Sequence, residues 1–108
     1  MNRGNIVTVA INGDFGKPRP ALVIQSDSLR NTETVTVLLI TSTLTPASFL
    51  RVTLEPGPQT GLRTMSQVMI DKAMTTRREK VGRPIGNADR KTMIDVERCL
   101  ALFFGFGD

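Results

Sequence analysis

The stretch Gly16-Lys17-Pro18-Arg19-Pro20-Ala21-Leu22-Val23-Ile24-Gln25-Ser26-Asp27 puts one cation where it could do chemistry. Each proline fixes its own φ and pushes the residue before it toward extended geometry, so Lys17 and Arg19 are both expected to be extended. A guanidinium on such a stiffened backbone can fork onto a phosphate or a carboxylate at a reduced ordering cost. The same residues also suit an ordinary edge-strand entry carrying a solvated arginine. The chain has no histidine, a single cysteine (Cys99), no Trp or Tyr, and five Phe. A histidine base, histidine metal ligands, an internal disulfide and a Cys-rich zinc site are thereby excluded. A wide aromatic platform for single strands is not expected either. Any chemistry must use Arg, Lys, Asp, Glu, Ser, Thr or Cys.

The formal charge of +4 is concentrated in one segment. Arg77, Arg78, Lys80, Arg83, Arg90 and Lys91 stand against only Glu79 and Asp89, a local excess equal to that of the whole chain. Such a segment suits a polyanion or an acidic protein partner, and equally a solvated face that keeps the chain soluble. At 108 residues, 40% hydrophobic and 22% charged, the chain is expected to form one globular domain over 1–108 with a modest core. No apolar run nears the ~20 residues of a membrane span. Without a secretory pattern at Met1-Asn2-Arg3-Gly4, and with one thiol, a cytoplasmic setting is expected.

The elements that must position Arg19 are short strands. Asn5–Ile11 and Pro20–Gln25 are β-branched or apolar runs, separated by the turn residues Asn12–Gly16, where Phe15 is expected either to tuck into the core or to cap a surface. Ser26–Thr32 is a polar connection. Glu33–Thr41 begins by alternating and ends fully apolar, as a central buried strand does. A hydroxyl-rich loop follows over Ser42–Pro46, then a strand over Phe49–Leu54, a loop over Glu55–Leu62, a strand over Ser66–Lys72 and a short sixth strand over Thr75–Val81. Asn87 is expected to cap a helix with Asp89 in its first turn. Met93, Val96, Cys99, Leu100, Phe103 and Phe104 fall on one helical stripe, and Gly105 and Gly107 end the helix. Cys99 on that stripe reads as a packed small hydrophobe, not a nucleophile. Leu102, on the opposite face, hints at a second buried surface. The sum is a mainly β fold: a small, strongly bent antiparallel sheet or barrel with a C-terminal helix packed on it.

Three motifs and the spacing between them resemble the MazF/PemK (Kid-like) toxins of bacterial toxin–antitoxin systems. They are Arg3-Gly4-Asn5-Ile6, Arg19-Pro20-Ala21-Leu22-Val23-Ile24-Gln25-Ser26-Asp27 and Leu39-Ile40-Thr41-Ser42. The resemblance extends through Ser66–Ile85 and the terminal helix. It implies an SH3-like barrel shared with the CcdB gyrase poisons, a homodimer, and metal-independent cleavage of single-stranded RNA with no cofactor. It also implies an acidic, partly disordered antitoxin over the RNA groove, contact with operator DNA only through that antitoxin, and no membrane association. By resemblance, Arg19 and Thr41 match the catalytic arginine and threonine, and Asp71 the aspartate of the Kid branch. Lys17, Ser42, Gln67, Arg77 and Arg78 are the implied RNA contacts. Two features depart from the pattern. Met69 stands where that branch has an arginine two residues before its aspartate. The first loop, Asn12–Lys17, is short and carries neither the usual glutamate nor a histidine.

Attack of a ribose 2′-hydroxyl on the neighbouring phosphate requires loss of the hydroxyl proton, stabilisation of a phosphorane, and return of a proton to the leaving 5′-oxygen. Arg19 suits the second requirement, because a fixed fork can face the equatorial oxygens. Thr41 can donate a hydrogen bond to the same phosphate. Asp71 can accept the 2′-proton or orient Arg19. The products would carry a 2′,3′-cyclic phosphate or 3′-phosphate and a 5′-hydroxyl. Two other functions fit the same fold. One is a gyrase poison, although the C-terminal tryptophan typical of those proteins is absent. The other is a binding module whose active site has decayed.

Overall fold

The computed structural model describes residues 1–11, 17–46 and 49–106; the expected Asn12–Gly16 turn with Phe15, and Gly107, lie outside them. Strands β1 (Asn5–Ala10), β2 (Pro18–Val23), β3 (Thr34–Thr41), β4 (Arg51–Leu54), β5 (Ser66–Arg77) and β6 (Gly86–Asn87) precede one helix, α1 (Arg90–Phe104). They form a single antiparallel sheet in the order β4-β5-β3-β2-β1-β6.

Both faces of the central strands are apolar, and each face is covered differently. On one, Ile6, Leu22, Leu38, Ile40, Val52, Leu54, Val68 and Ile70 pack against Met93 and Val96 of α1. On the other, Val7, Val9, Ala21, Val23, Val35 and Val37 close over one another with Met74 and Val81 at the margin. The second core exists because the sheet curls. The chain leaving β5 comes to the far side of β1, where Val81 bridges to Val9 and the Gly82 and Ile85 amides donate to the Thr8 and Ile6 carbonyls at 2.7 and 2.8 Å. The result is a half-barrel with the expected C-terminal helix. Alternation within β1 and β2 therefore buries both residue sets, as continuous apolar strands do.

β2 tolerates two prolines because it is paired with β3 only over Ala21–Val23, so Pro18 and Pro20 have a hydrogen-bonded neighbour on the β1 side alone. The motifs flanking β1 and β2 are ties. The Gly4 amide donates to the Val23 carbonyl at 2.8 Å with Gly4 at φ 92°, a conformation that favours glycine. Arg3 donates from its side chain to the Ile24 carbonyl at 3.1 Å and pairs with Glu97 of α1 at 2.9 Å. Its backbone amide donates to the Asp27 carboxylate at 2.7 Å.

Three expectations need correction. Ser66–Lys72 and Thr75–Val81 are not two strands. The first runs on through Arg77 as β5, while the sixth strand is Gly86–Asn87. A bulge explains the break: Leu38 pairs with Ala73 and Ile40 with Val68, so β5 spends extra residues, Met69–Lys72, against one step of β3. The alternation fails there without ending the strand. The helix cap is Asp89, whose carboxylate accepts from the Thr92 amide at 2.8 Å, because Asn87 is already committed to β6 beside Asn5. Finally, the apolar stripe of α1 is buried only at Met93 and Val96 and partly at Cys99 and Leu100. Phe103 and Phe104 remain 43% and 54% exposed, because the last turn runs past the sheet. Strand boundaries move slightly elsewhere: β1 ends at Ala10, β2 spans Pro18–Val23, and β4 starts at Arg51.

Candidate active site

The outer face of β3, β5 and β4 carries a strip of polar residues opposite the core face. β3 ends at Thr41, whose partner across β5 is Gln67; Gln67 in turn faces Thr53 of β4, and Arg51 faces Met69. Val52 and Leu54 are buried, so Arg51 and Thr53 must lie on the other side of β4. On β2, Arg19 lies two positions beyond Ala21, and Thr41 two positions beyond its partner Leu39. Arg19 and Thr41 thus share a face in the mouth where the β2–β3 pairing stops. Arg19 is exposed there and Thr41 half-buried.

The mouth is built by a small hydrogen-bond system. The Thr41 hydroxyl oxygen accepts from the Thr43 amide at 3.0 Å, which leaves its proton free to be donated. Gln67, 4% exposed, accepts from the Thr45 amide at 3.1 Å and donates to the Thr45 carbonyl at 3.0 Å, clasping the Ser42–Thr45 loop beside Thr41. Arg51 Nη1 donates to the Thr43 backbone carbonyl and to the Gln67 side-chain Oε1, both at 3.4 Å. Gln67, expected as an RNA contact, is thus already spent on the loop.

Asp71 lies in the bulge of β5. Its carboxylate takes a hydrogen bond from Lys72 Nζ at 2.8 Å. That bond above all, with its own amide and the charges of Lys72 and Arg51 adding to it, holds the carboxyl below the ordinary carboxylate range, against an opposing effect of burial second in size only to the Lys72 bond. Lys17 and Ser42 are exposed at the start of β2 and the end of β3, on either side of the mouth. Arg77 and Arg78 are not brought there. Arg77 pairs with Thr34 at the other end of β3, roughly 23 Å away by strand rise, and bonds to Glu79 at 3.1 Å. Arg78 donates from Nε to the Thr32 carbonyl at 2.8 Å. Cys99 is half-buried, and burial followed by the Asp95 charge raises its thiol pKa, which leaves it inert at neutral pH.

Among the described residues no group of three His, Cys, Asp or Glu side chains is placed to hold a metal ion. No described helix is long and apolar enough to cross a membrane. A cavity of about 400 Å³ at the start of α1, lined by Glu55, Gln59, Asp89 and Lys91 among others, shares only Thr53 with the polar strip. It lacks the paired Arg and Thr that phosphate chemistry needs. Arg51 and Thr53 are residues of the strip that sequence reasoning passed over. The alternation Arg51-Val52-Thr53-Leu54 was the signal, but its meaning depends on the β4–β5 register.

A family model described as PemK-like, MazF-like toxin of type II toxin-antitoxin system matches residues 2–104. A probable endoribonuclease MazF from Mycolicibacterium smegmatis (strain ATCC 700084 / mc(2)155) is 42% identical over 106 residues, 97% of each chain. Among solved structures, an endoribonuclease in complex with its cognate antitoxin from Mycobacterial species superposes with a TM-score of 0.84 at 20% identity, covering 100% of this chain and 98% of that one. The Mycobacterium tuberculosis toxin MazF-mt6 gives 0.81 at 24% identity, covering 94% and 96%. A MazE–MazF complex from Deinococcus radiodurans gives 0.77 at 21%, covering 97% and 95%. At these identities the solved structures speak for the fold, while the family match and the 42% relative speak for descent. This chain, with its half-barrel and its arginine and threonine at one strand mouth, belongs to the PemK-like, MazF-like toxins of type II toxin–antitoxin systems.

Proposed function

We propose that this toxin is an endoribonuclease that cuts single-stranded RNA by attack of a ribose 2′-hydroxyl on the adjacent phosphate. The observation that carries the reading is the mouth itself: an exposed guanidinium on the Pro18-Arg19-Pro20 frame beside a threonine hydroxyl whose proton is free. Arg19 faces the equatorial phosphate oxygens and stabilises the phosphorane, while Thr41 donates to the same group. Lys17 and Ser42 flank the track and bind the chain on either side. Gln67 positions the loop. Asp71, with a lowered pKa and an ammonium already bonded to it, is a weak base for the 2′-proton; its part is to hold the cations around it in place. No protein nucleophile is required, because RNA supplies it.

The partners follow the same logic. The last turn of α1 exposes Leu102, Phe103, Phe104 and Phe106 together, with the Phe103–Phe104 and Phe104–Phe106 rings in contact. Such a patch belongs against a partner, and a second copy satisfies it in a two-fold dimer. Arg77 and Arg78 lie far from the mouth of their own chain, so they join an RNA track only when a second copy brings them to it. An acidic antitoxin segment pairs with the same arginines, holds the toxin inactive in the cytoplasm, and makes the contact with operator DNA. The test is incubation of the pure protein with mixed-sequence RNA in EDTA. Fragments ending in 5′-hydroxyl and 2′,3′-cyclic or 3′-phosphate are expected. A magnesium requirement, or 5′-phosphate ends, overturns the reading.

A further inference from the structure

We infer that Arg51 is a second phosphate-binding arginine of this site, seating the RNA phosphate next to the one that is cut; this rests on the ribonuclease reading above. Arg51 is fixed on β4 directly opposite Met69, on the outer face of the sheet that also carries Thr53, Gln67 and Thr41. Its guanidinium is drawn toward the mouth by two carbonyl oxygens, those of Thr43 and Gln67, both at 3.4 Å. Both contacts are long and both use Nη1, so among the described residues Nε and Nη2 keep their donors for a ligand. Among the described residues no carboxylate lies within ion-pair distance of Arg51.

The space beside it is open. A cleft of about 390 Å³ runs along the outer edge of β4 against α1, lined by Arg51, Val52, Thr53, Asp95, Arg98 and Cys99. Two guanidiniums against one carboxylate make it net positive, and because β4 is the edge strand of the sheet, an RNA strand that leaves the outer face at Arg51 can carry its next phosphate around that edge toward it. The Arg51 charge, acting from the neighbouring strand β4, adds slightly to the lowering of the Asp71 pKa. The sequence offers no cation at position 69, and the β4–β5 register supplies one from the neighbouring strand at the same place on the face.

The test compares wild type with Arg51→Ala and Arg51→Lys. The probes are an RNA oligonucleotide that the wild type cuts and its 2′-O-methyl counterpart, which cannot be cut. Arg51→Ala is expected to raise KM roughly tenfold or more, the loss of one charge-assisted contact, with kcat within about threefold. Binding of the 2′-O-methyl oligonucleotide should lose about 0.7 from the slope of log affinity against log salt, the signature of one phosphate fewer on a single strand. Arg51→Lys keeps the charge and should restore the slope. An unchanged KM and slope in folded Arg51→Ala overturns the assignment while leaving the ribonuclease reading intact. A fall in kcat with KM and slope unchanged also overturns it, since Arg51 would then only brace the Thr43 loop. If Arg51→Ala fails to fold, Arg51→Gln carries the same comparison. Wild type that cuts no RNA removes the ribonuclease reading and this assignment with it.

Discussion

At the scale of single residues, the proposed chemistry rests on Arg19 and Thr41 at the mouth and on several side chains that hold the loop around them. Arg19 offers a planar fork on a backbone stiffened by two prolines. Lysine at that position keeps the charge but loses the fork. Arg19→Lys should therefore fold normally and lose about a hundredfold or more in cleavage rate, the effect of a missing transition-state contact. Asp71 behaves differently. Its pKa is depressed, so the stability it contributes is fully present above the unfolded value near 3.8 and is lost as pH falls through the lower folded value. A group that ionised is a poor proton acceptor at neutral pH. In the same assay Asp71→Asn should lose less than about tenfold and keep the acidic limb of the pH–rate profile, whereas removal of a true base costs about a hundredfold or more and flattens that limb. Near wild-type rates in folded Arg19→Lys contradict the first assignment, and a flattened limb in Asp71→Asn contradicts the second.

At the scale of elements, β5 and α1 show what a linear reading can and cannot reach. Val23, Val35, Val37 and Val68 announced their strands through β-branching and burial patterns that are local properties of the chain. The bulge at Met69–Lys72 has no local signature, because it is set by which residues of β3 pair with which of β5, a long-range choice. Arg51 was unreadable for the same reason: a residue on a short strand acquires meaning only from the strand beside it. The helix start was misplaced by two residues because Asn87 and Asp89 are both good caps in sequence, and only the pairing of Asn87 with Asn5 decides between them. Asp89→Ala should accordingly lower the thermal midpoint of unfolding clearly more than Asn87→Ala. An equal or larger drop in Asn87→Ala would place the cap where the sequence first suggested it.

At the scale of the molecule, the proposed catalytic pair Arg19 and Thr41 is carried by short motifs, and the β2–β3 register puts both residues on one face at the strand mouth. The basic segment was legible as charge but not as position. Arg77 and Arg78 lie beyond the far end of β3, and Lys91 starts the helix on another side. The C-terminal helix is expected to pack a stripe ending in Phe103 and Phe104 and to offer Leu102 to a second surface, yet Leu102, Phe103, Phe104 and, just past the helix, Phe106 all stand exposed. The proposed dimer would account for both facts. Light scattering should give about twice the 11.8 kDa chain mass, and Phe104→Glu, at an exposed position that the fold does not need, should return it to the monomer. A wild-type monomer at micromolar concentration would leave the aromatic turn without a purpose in this account.

The central claim is that RNA supplies its own nucleophile and the protein only stabilises the phosphate. The most direct test replaces one ribose, at the position 5′ to a mapped cut, by deoxyribose in an otherwise identical oligonucleotide. The account predicts that cleavage at that bond disappears while the oligonucleotide still competes for binding with unchanged affinity. Cleavage that persists at the deoxyribose would mean that water or a side chain attacks the phosphate, and would contradict the account.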